Sequence, residues 1–474
     1  MTAQANHAAG FPPDVLVALD RSAGRGLRAQ LEAELRRAVQ DGRLTAGARL
    51  PPSRALARDL GVARSVVVDA YGQLVADGYF EAQQGSGTRI RTINARAPSP
   101  PRRAERPTTA QFIGGLPDPA CFPRREWLRH YRAALVGAPD AALNYPGPHG
   151  AAQLRAALAS YLGRVRGVAT SPELMLIATG FTQALVLICR VLRARGVERV
   201  AVEDPCFGLH RQAIAATGLQ PVPVPVDEDG IDVVALHAHD AGAVLVSPAH
   251  SYPTGAVLST TRRAQLAAWA RRHDALVIED DYDGEFRYDR APVSSLQGLA
   301  PEHVVYAGCA SKTLSPALRL GWLAAPTTLI DELAREKAFD DLGSPLLEQL
   351  ALARLIDSGD FTRHLRRVRP LYRTRRDATL HAVADRLPDA TPTGIDAGLH
   401  VYLKLPDRCH EPTLIDAARD QGVHVEGAAW HWADPETAPP ALVLGYGSQT
   451  EPAIRRGVAT LGAIYHEMAC SASP

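Results

Sequence analysis

Lysine is almost missing from this chain. Of 52 basic residues only three are lysines, Lys312, Lys337 and Lys404. The scarcity confines side-chain amine chemistry to three positions. An amine that attacks a carbonyl must first lose its proton, and a guanidinium does not. Schiff-base chemistry at Lys312, within GCASKTLSPALRLGW (308–322), is therefore the first question the sequence poses. Cysteine is also sparse. The six cysteines (121, 189, 206, 309, 409 and 470) form no CxxC pair and no metal-ligand spacing. That argues against a disulfide framework or a structural zinc site and suits reduced thiols in a cytoplasm. The opening residues MTAQANHAAGFPPD lack a basic-then-apolar signal. The longest apolar run, around ALVLICRVL, breaks at Arg190 and is too short to span a bilayer. A soluble, cytoplasmic protein with no membrane association is expected.

At 474 residues, two or three domains are expected. The formal net charge of +1 gives no sign of a polyanionic partner for the chain as a whole, but the charge is unevenly spread. Residues 21–91 hold twelve arginines against seven acids, a local excess of +5 that points weakly to nucleic acid. The stretch TINARAPSPPRRAERPTTA (92–110) has four prolines and little apolar content, and reads as a semi-rigid linker. The expected division is a tail over 1–15, a module over 16–91, the linker over 92–110 and a large module over 111–474.

In the small module, LRAQLEAELRRAVQDG has helical spacing at Leu27, Leu31, Leu35 and Val39. SRALARDLG predicts a short helix with Ser53 as N-cap and Gly61 as its stop. A second helix through SVVVDAYGQLVADG is expected to bury Val66, Ala70 and Leu74, and YFEAQQGSGTRI gives two short strands around a glycine-rich turn. Helix, helix–turn–helix and hairpin make a winged helix-turn-helix. In that geometry the second helix enters the major groove by its N-terminus, which here carries Arg64 and Ser65, with Arg54 starting the supporting helix beside Ser53. Gly85 and Gly87 let the wing approach a groove wall, and Thr88 and Arg89 supply donors. The competing reading is a small helical dimerisation module with a solvated arginine face. The stretch LPPSRALARDLGVARSVVVDAYGQLVADGYFEAQQGSGTRI resembles the DNA-binding domain of GntR-type bacterial regulators over residues 49–90. It departs at Val66, where that family usually has a hydroxyl residue.

From residue 174 the runs LMLIA, RVAVED, QPVPVPV, AVLVS, ALVIED, VVYAG and WLAAP alternate with helical patterns. Continuous apolar strands between helices imply an α/β unit with a mainly parallel sheet covered on both faces. Ligands bind such sheets at the carboxyl ends of the strands. There TGFTQAL opens a helix in which Gly180, Phe181 and Thr182 aim N–H groups at an anion. In VIEDDYDGEF, Asp280 can hold a protonated ring nitrogen and Tyr282 can donate to a phenolic oxygen. A solvated acidic loop competes with that role. A calcium loop does not, because the twelfth position from Glu279 is Arg290. Ser311 and Arg319 flank Lys312 as phosphate partners, and Phe207, in EDPCFG, is placed to stack on a ring. A single lysine would ordinarily be a surface residue. A lysine with a phosphate turn and an Asp–Tyr pair, each at its own strand end, specifies pyridoxal 5′-phosphate (PLP) held as an internal aldimine. The pair His237 and His239 lacks further ligands nearby and reads as a solvated loop, so no metal site is expected.

The motifs NYPGPHG, ATGFTQAL, VEDPCFG, SPAHSYPTG, IEDDYDGEF and ASKTLSPALRLG resemble the fold-type I aminotransferases in order over 111–474. Joined to a GntR-like reader, the chain resembles the MocR subfamily of transcriptional regulators over nearly its whole length. That resemblance implies a smaller C-terminal α+β subdomain, PLP at Lys312, and head-to-tail homodimers in which Tyr145 lies near the neighbouring subunit's ligand pocket. Three positions depart from aminotransferases. Tyr252 stands before PTG in place of asparagine, as is common in MocR proteins, and is expected beside the effector. Cys309 replaces a hydroxyl residue. Val443, in ALVLGYG, stands where an arginine often clamps the substrate carboxylate. The expected function is a PLP-dependent regulator that binds a double-stranded DNA operator and senses PLP or a small amine. A working aminotransferase with an accessory DNA-binding domain is the alternative, with Lys312 free to move the α-proton. A cofactor-free oligomerisation scaffold is a third reading and predicts a colourless protein.

Overall fold

Residues 19–21, 24, 26–83, 87–91, 109–288 and 294–471 are described by a computed structural model. The chain divides into two compact units, at Glu105 and Arg106. The tail over 1–15, Gly85 and most of the linker lie outside the described residues.

In the first unit, α1 (Leu27–Gln40), α2 (Ser53–Leu60) and α3 (Arg64–Ala76) precede an antiparallel hairpin of β1 (Phe80–Gln83) and β2 (Gly87–Ile90). Leu31, Leu35, Leu56, Val67, Ala70, Leu74, Phe80 and Ile90 close one core. At roughly 1.5–3 kcal/mol for each large apolar side chain taken from water, this cluster is the main source of the unit's stability. Two details differ from the sequence reading. Pro52 occupies the cap position and Ser53 is the first helical residue, with no side-chain cap bond, because Pro52 already supplies the extended φ the cap requires. On α3 the inward valine is Val67, fully buried, while Val66 is half-buried. The actual stripe is 67, 70, 71 and 74. Gly61 ends α2 at φ +62°, a left-handed conformation that glycine adopts without penalty.

The second unit opens with β3 (Ala110–Phe112), α4 (Arg124–Gly137) and α5 (Ala152–Arg166). β4 (Met175–Ala178), α6 (Phe181–Ala194), β5 (Arg199–Asp204), α7 (Gly208–Ala216) and β6 (Gln220–Asp227) follow. Next come β7 (Gly230–Ile231), α8 (Val233–Leu236), β8 (Ala243–Val246), α9 (Thr260–His273), β9 (Leu276–Asp281), β10 (Val304–Cys309) and β11 (Gly321–Ala324). These eight strands from β4 to β11 form one sheet in the order 4-11-10-9-8-5-6-7. Pairs 10–9, 9–8, 8–5 and 5–6 are parallel, and β11 runs antiparallel to both its neighbours. Alternate side chains feed two layers. Val200, Val202, Leu276 and Ile278 enter one core, and Ala201 and Val277 the other. That double burial explains why these strands read as unbroken apolar runs. In β6, Pro221, Pro223 and Pro225 alternate with valines. Their missing N–H groups all fall on one side of the strand, and on its outer edge β7 pairs only beyond the prolines, at Val226 and Asp227.

The chain continues through α10 (Ile330–Asp341), α11 (Leu346–Asp357) and α12 (Asp360–Arg386) to a second sheet. That sheet adds β12 (Thr391–Thr393), β13 (His400–Lys404), α13 (Glu411–Asp420), β14 (Val423–Gly427), β15 (Ala441–Gly445) and α14 (Glu451–Ser471). Its order is 12-13-15-14-3, so β3 closes one edge from more than 300 residues away. Ala110 is thereby buried in a strand, so the linker gives way to folded structure before residue 110. No described helix is long and apolar enough to cross a membrane.

Candidate functional site

The carboxyl ends of the central strands supply the site. After β4, Gly180 caps α6 with φ +126° and no side-chain cap bond, which leaves the first N–H groups of a 14-residue helix open. A Cβ on Gly321 would lie 2.8 Å from the Gly180 Cα, so the starts of β11 and α6 meet backbone to backbone. This contact delivers Arg319, held at φ +50°, to the same spot. A Cβ on Gly180 would lie 3.0 Å from the Arg319 Nη2. Guanidinium and helix N-terminus together make an anion cradle.

Asp280, near the end of β9, is 5 % exposed, and its Oδ1 has no hydrogen-bond partner. Burial, followed by the nearby Asp281 and Asp283 charges, pushes its carboxyl well above the ordinary aspartate range. Its neighbour Asp281 is structural, since it takes a bidentate bond from Arg166 (2.7 and 2.8 Å) and a 2.7 Å bond from the Tyr306 hydroxyl. The Tyr282 Oη lies 3.1 Å from the His250 Nδ1, itself 2.9 Å from Asp283 Oδ2. His400 packs behind, its Nε2 donating to the Pro253 carbonyl at 3.1 Å. His250, Asp283 and His400 bring three potential ligand atoms within 4.8 Å of one another. The contact of His250 with Asp283 and Tyr282 fixes the orientation of Tyr282, while His400 is tied to Pro253.

Lys312 follows β10 by three residues and reaches Gly115, where a Cβ would lie 2.9 Å from its Nζ. Lys312 opens onto a cavity of about 180 Å³. Phe181, Thr182, Ser311 and Arg319 line it together with Asp280 and Tyr282. Phe207 and Tyr252 form a wall, their rings edge to face at 5.5 Å. Three further lining residues were not picked out from the sequence, Gly114, Gly115 and His210, and Cys309, noted there as replacing a hydroxyl residue, lines the cavity as well. Burial, then the Lys312 charge, push His210 down to about 3, so its imidazole is neutral. Burial raises the Cys309 thiol, which stays protonated. Tyr145 does not reach this cavity and is 80 % exposed. His237 and His239 are exposed. A wider groove of about 520 Å³ beside Phe122 and Arg367 gathers no such set of groups, so volume does not select the site.

This donor set fits a phosphorylated pyridine aldehyde. The cradle at α6 suits a phosphate, the unpartnered Asp280 Oδ1 suits a protonated ring nitrogen, Tyr282 suits a phenolic oxygen, and Lys312 suits the aldehyde. Such a group would give the buried Asp280 Oδ1 the partner it lacks.

In the first unit, Arg54, Arg64 and Ser65 are exposed together at the starts of α2 and α3. The Arg64 Nε donates to the Ser53 Oγ at 3.5 Å and joins the two helix starts. Gly87 sits at φ +89°, and a Cβ there would meet the Arg49 guanidinium at 3.3 Å. Thr88 is tied to the body through its carbonyl, which accepts from Leu50 N at 2.9 Å. Arg49 was not singled out from the sequence, because only the hairpin's return past residue 48 brings it to the wing.

Comparison with known proteins places both units. Residues 27–90 match the family of bacterial regulatory proteins of the gntR type, and residues 123–429 match the class I and II aminotransferases. The HTH-type pyridoxine biosynthesis transcriptional regulator PdxR of Corynebacterium glutamicum is 34% identical over 93% of this chain and 96% of its own length. The probable rhizopine catabolism regulatory protein MocR of Rhizobium meliloti is 32% identical over 94% of this chain and 95% of its own. Among solved structures, the α-aminoadipate aminotransferase LysN of Thermus thermophilus, complexed with N-(5′-phosphopyridoxyl)-L-leucine, superposes with a TM-score of 0.70. It is 29% identical and covers 76% of this chain and 93% of that one.

Proposed function

From the premise that this chain belongs to the MocR subfamily, HTH-type regulators in which a GntR DNA reader is joined to a class I/II aminotransferase domain, we propose that it is a PLP-binding regulator whose hold on a DNA operator responds to PLP or to a small amine. The observation that carries this reading is the buried, unpartnered Asp280 Oδ1 in the same cavity as Lys312.

When bound, PLP supplies an electrophilic aldehyde carbon and a visible chromophore. The protein's own residues do the rest. Arg319, Thr182 and the α6 N–H groups hold the phosphate; Asp280 keeps the ring nitrogen protonated; Tyr282, fixed through His250 and Asp283, donates to the phenolic oxygen. Phe207 covers the ring, and Lys312 supplies the amine. Ser311 adds a hydroxyl to the phosphate end. In the reader, Arg64 and Ser65 face base edges, with Ser53, Arg54, Gly85, Gly87 and Thr88 along the backbone. A head-to-tail homodimer presents two readers to a two-fold operator, and each Tyr145, exposed in the single chain, then approaches the partner's cavity.

Turnover of amino acids needs a group that orients the substrate carboxylate, and Val443 offers none. That favours sensing over transamination. The test selects operator fragments from random-sequence DNA with the purified full-length protein, then measures binding before and after PLP loading for wild type and Lys312→Ala. The proposal expects PLP to change wild-type affinity and leave the variant unaffected. Equal responses from both proteins would overturn it.

A further inference from the structure

Strand pairing places Glu426 of β14 directly opposite Val443 of β15. Cross-strand partners share a face of the sheet with Cβ atoms about 5 Å apart. The position expected to carry a carboxylate-binding arginine is thus apolar, and a carboxylate stands beside it on the same face. The Glu426 Oε2 accepts from the Gly114 N–H at 3.3 Å and from the Tyr252 hydroxyl at 3.2 Å, and both of those residues line the Lys312 cavity. Its Oε1 accepts from the Trp430 Nε1 at 3.2 Å and lies 3.2 Å from the His431 Nε2. No arginine or lysine pairs with Glu426 among the described residues.

Burial works to raise the Glu426 carboxyl, but His431, the Gly114 N–H and Tyr252 outweigh it and hold the group below the ordinary glutamate range, so it is anionic at neutral pH. Tyr252 is pushed the other way, well above the ordinary phenol, by burial and then by Glu426, and so remains the donor. Gly114 allows the convergence. A Cβ there would lie 2.3 Å from the Tyr252 Oη and 3.1 Å from the Val443 Cγ1. The next residue, Gly115, touches Lys312, and adjacent Cα atoms are about 3.8 Å apart. Glu426 thus stands directly behind Gly114 and Tyr252 in the cavity wall, so a short chain extending from the amine site toward that corner meets their surface with Glu426 next to it. Phe207, Trp430 and Tyr252 wall that corner with aromatic rings, a surface that favours a cation as well.

We propose that the effector is a short aliphatic diamine whose second, cationic nitrogen is recognised by Glu426 and its aromatic surround, and that this corner rejects amines ending in a carboxylate. The inference rests on the proposed PLP-binding function and gives its effector a chemical class. A carboxylate brought against the Glu426 carboxylate is repelled, which makes Glu426 a device of exclusion as well as attraction.

The test uses the full-length PLP-loaded protein and three amines of matched length: putrescine, n-butylamine and γ-aminobutyrate. Two readouts are followed, the change in visible absorption and the change in DNA affinity. Putrescine is expected to act at about 10-fold lower concentration than n-butylamine and about 100-fold lower than γ-aminobutyrate. Glu426→Gln should bring putrescine and n-butylamine together, and Glu426→Gln with Val443→Arg should turn the preference toward γ-aminobutyrate. Wild-type affinities equal for the three amines, or favouring γ-aminobutyrate, would overturn the inference whatever the variants do. A protein that takes up PLP but shifts with none of the amines overturns it alone, whereas a protein that takes up no PLP refutes the underlying function as well.

Discussion

Replacing Asp280 by Asn removes the carboxylate from the floor of the cavity with almost no change in shape, and its two consequences have opposite sign. In the PLP-free chain Asp280 is buried, its Oδ1 is unpartnered and its carboxyl is pushed well above 3.8 by burial and by Asp281 and Asp283. The folded state therefore holds this proton more tightly than the unfolded state. The stability it contributes is complete below the unfolded value near 3.8 and is lost as pH climbs through the folded value. The amide introduced by Asp280→Asn does not titrate, so thermal unfolding of the PLP-free variant should gain on wild type as pH rises through that window. With PLP bound the carboxylate meets a pyridinium, and a hydrogen bond between charged groups contributes roughly 1.5–3 kcal/mol. At about 1.4 kcal/mol per tenfold, the variant should bind PLP about 10- to 150-fold more weakly by equilibrium titration. A variant that binds PLP as tightly as wild type, or a PLP-free wild type that gains stability over the variant as pH rises, would refute the reasoning.

Glu203 offers a second pH test. Burial raises its carboxyl to about 7, although Ser247 N donates to it at 3.1 Å and the Ser251 hydroxyl at 3.3 Å. The wild type should therefore lose up to about 3 kcal/mol between pH 4.5 and 7, and denaturation of Glu203→Gln, whose amide oxygen keeps both bonds, should lack that slope. In the reader, Arg64→Ala should weaken operator binding by about 1–3 kcal/mol with unchanged circular dichroism, measured by fluorescence anisotropy over a salt series. Gly87→Val, at φ +89° and against Arg49, should weaken DNA binding and, in chemical denaturation, destabilise the reader by about 1–2 kcal/mol of strain. Phe112→Ala should destabilise the second unit by about 3–5 kcal/mol in chemical denaturation, because Phe112 is fully buried between β3 and α14, where a Cβ on Gly457 would lie 2.5 Å from its ring.

What could be read from the sequence was chemistry carried by one short segment. Lys312, Asp280 with Tyr282, and Gly180 with Thr182 each sit at the end of an apolar strand, so strand pattern and residue type located them together. What escaped was assembled from distant pieces. Gly114 meets Glu426 across 312 residues, and the pairing of Glu426 with Val443 depends on the register of β14 on β15, which no local pattern encodes. β3 is three residues long and follows a proline-rich stretch, too short to show a period of two. On α3 the run Val66-Val67-Val68 presents three apolar candidates in succession, so periodicity alone left the inward position one residue off. Ser53 carries a capping side chain, but Pro52 before it had already taken the cap.

The central claim is that Lys312 joins the ligand cavity to the regulator's chemistry, and covalent capture tests it most directly. Full-length wild type and Lys312→Ala are incubated with PLP, reduced with borohydride, and digested for peptide mass spectrometry. The account predicts one pyridoxyl group on the peptide containing Lys312 in wild type and none at Lys337 or Lys404, with no capture in the variant. Capture at another lysine, or none in wild type, would contradict it.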